Sequence, residues 1–334
     1  MGYLIDYSCP GLFGAAAGDM CGSEWEFAKN EDGTRKKAEH GLELVPGRFT
    51  DDTVCTAAVA EWILDGSLTV EDLENKLITW CREYLGKVGY GPKFKEWFQT
   101  DQELRKPYGS WGNGAAMRVS PVGWWADSEQ DALQLAEMSC MPTHNSDQAI
   151  RAAKAVVVAI FLMKSGWDRG DVIGKIKADY YPDLLTMPLV MKQKDYRFEV
   201  SCDKSVPESI ECWLNAFCFD DVLRNAIWMG GDTDTMACIA GSIAAADKST
   251  PMSRELLEKT WTKLDFSIRE KFAEFNLLYC QDRPCMPEIT PSKVSPICFS
   301  IYWTFFDCST SRSTSSARRS SFDELSVTSG KIFR

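Results

Sequence analysis

Gly230-Gly231-Asp232-Thr233-Asp234-Thr235, with the small-residue run that follows it to Ala246, is the stretch on which the fold turns. Met236, Ile239, Ala240, Ile243 and Ala244 recur at helical spacing, and Gly241 and Ser242 let a neighbouring backbone approach, so the run predicts a tightly packed helix. Its two aspartates stand at the helix entrance. There, Asp and Thr oxygens can cap free N–H groups, or they can point outward together as hard oxygen ligands for Mg²⁺ or a similar cation. The hexapeptide taken alone favours capping.

A second stretch, Phe49-Thr50-Asp51-Asp52-Thr53, opens a helix expected over Val54 to Leu64. Adjacent aspartates at a helix start repel unless a cation or several N–H donors sit between them. If the two acidic entrances meet across a bundle, Thr50, Asp51, Asp52, Asp232, Asp234 and Thr235 supply enough oxygens for a two-metal cluster, with water completing the coordination.

The rest of the chain sets bounds. Its 334 residues are 45% hydrophobic, enough for a substantial core. A net charge of −11 argues against nucleic acid as a main partner. Tyr3, Leu4 and Ile5 are followed at once by Asp6, so no signal peptide is expected, and thirteen cysteines without zinc spacing read as reduced thiols of a cytoplasmic or nuclear protein. Ile297 to Phe306 is apolar but too short to span a bilayer, and the Ser/Thr-rich stretch from Ser309 is expected to be disordered.

Helical periods recur from Gly11 to Cys280 and predict an all-α, compact single domain over residues 1–285, of about a dozen helices, with a tail over 286–334; a monomer is expected. Gly11 to Gly22 reads as a helix of small residues in which Gly14 and Gly18 suggest close helix packing, and Asp19 in this run is a buried-acid candidate, for hydrogen bonding to nearby backbone or for a catalytic role. Thr69-Val-Glu-Asp72 starts a helix to about Leu85, Lys93 to Thr100 forms another, and Ser128 with Asp131 opens one through Met138. Asp147 to Ser165, with Ser146 as N-cap and Gly166 as its stop, should be central. Arg197 to Ser201 reads as a short strand or extended connection, and Pro207 to Phe217 and Phe219 to Met229 as amphipathic helices. Ser253 to Cys280 reads as one or two closing helices. Asn30 to His40 is charged and Gly-containing, the composition of a mobile loop. The loop Gly109-Ser-Trp-Gly112-Asn-Gly114 leaves backbone N–H groups free for a phosphate or makes a plain turn, and His144 could donate to a phosphate or to a structural acceptor.

Five blocks together resemble the ADP-ribosylglycohydrolase family: Gly14 to Gly22 with Glu26-Phe27, Phe49 to Thr53, Gly112-Asn-Gly-Ala-Ala-Met-Arg118, Thr143-His-Asn145, and Gly230 to Thr235. The resemblance spans about Gly11 to Ala246 and implies the closed two-metal bundle. It implies two Mg²⁺ ions, with Mn²⁺ as a substitute, on Thr50, Asp51, Asp52, Asp232, Asp234 and Thr235. Asp51 and Asp52 then act catalytically with Glu26, which stands where the family carries a glutamate near the scissile bond. Ser110, Asn113, Gly114, Met117 and His144 become substrate contacts. The chain departs from the family at Glu24, at Ser146-Asp147, and after Ala246, where Asp247-Lys-Ser-Thr250 replaces a Tyr-Gly turn and leaves part of the ligand pocket unaccounted for.

The expected activity is metal-dependent hydrolysis of the bond between ADP-ribose and an acceptor side chain, arginine first and serine second, on an ADP-ribosylated protein or an ADP-ribose-containing small molecule. A dinuclear phosphohydrolase acting on the diphosphate, and a non-catalytic ADP-ribose-binding protein, are the alternatives. Such phosphohydrolases commonly use His ligands, and this chain has only two histidines.

Overall fold

Small residues at every fourth position of the first helix decide how the molecule is assembled. In this computed structural model, which describes residues 9–34 and 36–280, Gly14, Gly18 and Gly22 face Gly241, Ala237 and Thr233 in an antiparallel register. A Cβ on Gly18 would lie 2.0 Å from the carbonyl oxygen of Ala237, and one on Gly22 would lie 2.3 Å from that of Thr233. Only glycine lets two backbones come this close. The Thr233 hydroxyl adds a bond to the carbonyl of Gly22 at 2.8 Å.

The described residues form fifteen α-helices and no strand. They are α1 (Phe13–Glu26), α2 (Asp51–Asp65), α3 (Val70–Glu83), α4 (Pro92–Gln99), α5 (Gly114–Arg118), α6 (Ser120–Trp125), α7 (Glu129–Cys140), α8 (Asp147–Lys164), α9 (Arg169–Asp179), α10 (Leu189–Asp195), α11 (Cys202–Leu214), α12 (Phe219–Met229), α13 (Thr233–Ala244), α14 (Arg254–Lys263) and α15 (Phe266–Tyr279). Every residue of α13 is buried, and it packs on α1, α5, α8, α11 and α12. α8 is apolar nearly all round over Ala155 to Met163 and is also interior. The sequence signals mark the ends well: Thr69, Ser128 and Ser146 accept from the N–H groups of Asp72, Asp131 and Ala149, and Gly166 takes a positive φ after α8.

Several boundaries move. α2 begins at Asp51, so both aspartates lie inside its first turn, and α1 runs a full turn past Gly22 to end at Glu26. α11 starts at Cys202 and carries Pro207 within it. The proline removes only the bond its N–H would have made to Asp203, while buried Val206, Ile210 and Trp213 hold the helix across that gap. Arg197 to Ser201 is an extended connection with one antiparallel bridge, Ser201 to Gly112. α5, α6, α9 and α10 carry too short or too weak a period to be expected from sequence. No helix among the described residues is long and apolar enough to cross a membrane. The ten cysteines among them form no disulfide. The expected boundary near 285 and the Ser/Thr-rich tail lie outside the described residues.

Candidate active site

The glycine-mediated crossing of α1 on α13 brings the last turn of α1 beside the first turn of α13, and the start of α2 packs against both. Two groups of carboxylates result: Asp19, Asp52 and Asp234, and Glu26, Asp232 and Asp234, the ligand oxygens of each lying within 4.8 Å of one another. Asp234 belongs to both.

Asp19 organises the entrance to α2. It accepts from the backbone N–H groups of Thr50 (2.9 Å) and Thr53 (3.2 Å) and from both hydroxyls. The backbone-bonding role expected of it is therefore present, and its carboxylate also stands among the candidate ligands. Burial, then the charge of Asp234, pushes it up to about 7 against those hydrogen bonds. Thr50 caps α2, its Oγ1 accepting from the N–H of Asp52 at 3.4 Å. Asp52 Oδ2 lies 3.1 Å from the Thr50 hydroxyl and 3.4 Å from that of Thr235.

At the other entrance, Asp232 occupies the cap position of α13 without making a cap bond. Its Oδ2 instead accepts from Asn113 Nδ2 at 2.7 Å, which ties the acidic cluster to the glycine-rich loop. Asp234 Oδ1 accepts from the Thr235 N–H at 2.9 Å. Gly230 and Gly231 both take positive φ, and a Cβ on Gly231 would meet the Tyr196 ring at 2.8 Å, so this turn needs glycine.

Burial and mutual repulsion dominate the electrostatics. Glu26, half-buried, is pushed up to about 9 by burial and then by Asp234 and Asp232. Asp51, Asp52 and Asp232 are raised well above the usual carboxylate range, first by burial; Asp234 then acts on Asp52 and Asp232, and the Cys55 thiol, then Asp234, on Asp51. Asp52 Oδ1 is buried without any hydrogen-bond partner among the described residues. A buried carboxylate with one orphaned oxygen, set among other carboxylates, is the arrangement a divalent cation would satisfy. Because both groups contain oxygen donors alone, they suit Mg²⁺, Mn²⁺ or Ca²⁺ better than zinc.

The predicted residues are not all gathered equally. Asp51 is half-buried at the first turn of α2 and stands outside both carboxylate groups, while Asp19, for which the sequence left backbone bonding and a catalytic role both open, stands within one. Ser110, Asn113, Gly114 and Met117 lie on one loop and the short α5 that follows. That loop is braced from two sides. Asn113 N–H donates to Val200 O at 2.9 Å and Cys202 N–H to Trp111 O at 3.0 Å, while Ser110 N–H donates to Thr143 O at 3.0 Å, the Ser146 hydroxyl to Ser110 O at 2.7 Å, and Gly109 N–H to Asn145 Oδ1 at 2.9 Å. Sequence reasoning gave neither Asn145 nor the 197–201 connection a role at the site; their signal is only the proximity the fold creates. His144 is buried beside Gly114, whose Cβ position lies 2.9 Å from the imidazole Nε2.

The profile of one known family, ADP-ribosylglycohydrolase, matches residues 6–249. The chain belongs to this family. It is 27% identical over 305 residues to the ADP-ribosylhydrolase ARH3 of Homo sapiens, covering 70% of this chain and 83% of that protein. It is 26% identical over 264 residues to the ADP-ribosyl-[dinitrogen reductase] glycohydrolase of Rhodospirillum rubrum, covering 72% and 85%. It is 22% identical over 279 residues to the ADP-ribosylarginine hydrolase Tri1 of Pseudomonas putida, covering 72% and 70%. Among solved structures, an ADP-ribosylglycohydrolase-related protein complex shares the fold, with a TM-score of 0.62 at 22% identity over 84% of this chain and 98% of that one. As a family member the chain is a glycosidic-bond hydrolase that removes ADP-ribose from modified substrates. The Asp247 segment that replaces the family's Tyr-Gly turn lies at the far end of α13, about 20 Å from Asp234 by helical rise. It closes the core there, accepting from Arg169 Nε at 2.5 Å and Trp213 Nε1 at 2.9 Å.

Proposed function

We propose that this chain cleaves the bond joining ADP-ribose to a modified protein side chain, with two Mg²⁺ ions held by Thr50, Asp51, Asp52, Asp232, Asp234 and Thr235, and Mn²⁺ able to replace them. The observation that carries the reading is that Asp52, one of its oxygens orphaned and buried, stands among carboxylates brought together from three helices. Bound there, the cations would supply Lewis acidity toward ribose hydroxyls and a water. Glu26, whose carboxyl is pushed up to about 9 in the metal-free site by burial and then by Asp234 and Asp232, is the group placed to deliver a proton to the leaving atom as the glycosidic bond breaks. Asp51 and Asp52 bear on the positive charge that develops at the anomeric carbon. Asn113 holds Asp232 in register with the loop of Ser110, Gly114 and Met117, on which the ADP-ribose lies.

Arginine is the first linkage to test, since Tri1 is by name an ADP-ribosylarginine hydrolase; serine is the second. We also place the protein in the cytoplasm, or in the nucleus, as a monomer. The deciding experiment incubates the protein with arginine-linked and serine-linked ADP-ribosyl substrates, with Mg²⁺ and with EDTA, and separates the products. Release of free ADP-ribose that needs the metal and vanishes in Asp52→Asn/Asp234→Asn supports the reading. Release of AMP, or no release by folded, metal-loaded protein, overturns it.

A further inference from the structure

Arg118 is the largest buried charge in the described residues without a carboxylate beside it. It is 1% exposed, its guanidinium lies 5.9 Å from the Phe94 ring centroid, and one nitrogen donates to Ser139 O at 3.1 Å and to Thr143 Oγ1 at 3.0 Å. A buried arginine so placed needs a use, because desolvating the charge is expensive. The Thr143 hydroxyl, wholly buried, lies in turn 2.7 Å from His144 Nδ1.

The proton inventory along these three residues has one solution. Arginine only donates, so Thr143 Oγ1 must accept from Arg118. The hydroxyl then has its own proton to place, and among the described residues its single acceptor is His144 Nδ1. Turning that proton elsewhere would leave a buried donor unsatisfied. Nδ1 is therefore an acceptor, and the proton of the neutral ring sits on Nε2. Burial, and then the charge of Arg118, holds the imidazole neutral. Nε2 has no hydrogen-bond partner among the described residues, and it faces the hollow left by the missing side chain of Gly114, 2.9 Å from where a Cβ would be. Gly114 adjoins Asn113, the residue bonded to Asp232.

We infer that Arg118 and Thr143 are positioning residues that fix His144 as a neutral Nε2–H donor aimed at an anionic oxygen of the substrate. That His144 meets the substrate is already implied by the family resemblance, and a diphosphate oxygen of ADP-ribose as its anion rests on the proposed function; the tautomer and the two residues that set it are what is inferred, and they rest on neither. A neutral donor of fixed direction holds the ligand without exchanging protons with the carboxylates that do the chemistry. Threonine at 143 suits an Oγ1 that must stay in place, since its branched Cβ restricts χ1.

The chain has only two histidines, and His40, packed edge-on against Trp228 at 5.1 Å, serves as an internal reference. The test is long-range ¹H–¹⁵N NMR of the imidazoles in uniformly labelled full chain near neutral pH, without ligand. The expected His144 signature is the Nε2–H tautomer in the wild type and in Thr143→Ser, and its loss toward Nδ1–H or a mixture in Thr143→Val, with the His40 pattern unchanged throughout. ADP-ribose binding by calorimetry should weaken roughly ten- to hundredfold in Thr143→Val, the loss of one hydrogen bond to a charged group, and recover in Thr143→Ser. An Nδ1–H ring or an imidazolium in the wild type overturns the inference, and this measurement needs no variant to fold. Retention of Nε2–H in Thr143→Val overturns it as well. The Nε2–H signature in a wild type that does not bind ADP-ribose removes the ligand assignment and the proposed function with it, while leaving the Arg118–Thr143–His144 chain intact.

Discussion

Adding a single methyl group at Gly18 tests the link between helix crossing and active site. The Cβ of Gly18→Ala would lie 2.0 Å from Ala237 O, 2.3 Å from its carbon and 2.7 Å from the nitrogen of Cys238. All three are backbone atoms and no rotamer moves them aside. Cβ–O contacts below 3.0 Å do not occur, so α1 and α13 must part by about 1 Å or more. Overpacking of this kind destabilises by about 1–3 kcal/mol, and the rigid obstacle puts Gly18→Ala near the upper end. For a domain of this size that is a Tm lower by about 5 °C. The same displacement separates Glu26 from Asp232 and Asp234, and a misplacement of about 1 Å can lower catalysis roughly a hundredfold. Differential scanning calorimetry in EDTA reads the first effect and ADP-ribose release in saturating Mg²⁺ reads the second. Gly174→Ala on α9 is the control: nothing lies within 4 Å of its Cβ position, so it should gain about 0.5–1 kcal/mol and leave activity unchanged. A Gly18→Ala protein with wild-type Tm and activity would refute the crossing as the device that builds the site.

Glu26→Gln should lower the turnover of ADP-ribose release by about 10²–10⁴-fold while Mg²⁺ binding, followed by calorimetry, stays within a few-fold; loss of metal binding with it would make Glu26 a ligand instead of a proton donor. Asn113→Ala frees Asp232 and should weaken Mg²⁺ binding by about 10–100-fold, visible in a metal titration of activity. In metal-free protein Glu26 and Asp19 have folded values of about 9 and about 7, above the ordinary carboxylate range of the unfolded chain, so their contribution to stability is complete below that range and is lost as pH rises through the folded values. The Tm gain on adding Mg²⁺ should therefore be larger at pH 8.5 than at pH 6, and an equal gain at both would contradict the carboxylate cluster as the binding site. Asp247→Ala leaves Arg169 without its carboxylate, only the Ala216 carbonyl remaining to it, and the Trp213 N–H without an acceptor, and should destabilise the fold by about 3 kcal/mol in urea titrations. Activity per folded molecule should not change, since Asp247 sits at the other end of α13 from the carboxylates.

Much of the fold is written locally. Gly14 and Gly18 announce a close crossing, Thr69, Ser128 and Ser146 announce helix starts, and the apolar run of Ala155 to Met163 announces an interior helix, because each signal depends only on neighbours within about one turn. The start of α11 escaped this reading because Pro207 looks like a first-turn residue, and only its buried neighbours hold the helix through it. The site divides the same way. Asp232 and Asp234 look like capping residues in isolation; Asp234 does accept from the Thr235 N–H, whereas Asp232 makes no cap bond and gives its Oδ2 to Asn113, far away in sequence.

By itself the sequence determines an all-helical chain with two acidic helix entrances, and the order of its motifs determines the family. Tertiary structure alone decides which oxygens meet. It turns Asp19 toward Thr50 and Thr53 while keeping it within reach of Asp234, leaves Asp51 outside both carboxylate groups, and strands Asp52 Oδ1 without a partner. It also sets the proton of His144 through Arg118 and Thr143. The physical reason is range: helix propensity and capping act along a few residues, whereas repulsion between carboxylates, desolvation and the pairing of buried donors depend on distances that only the packed helices fix.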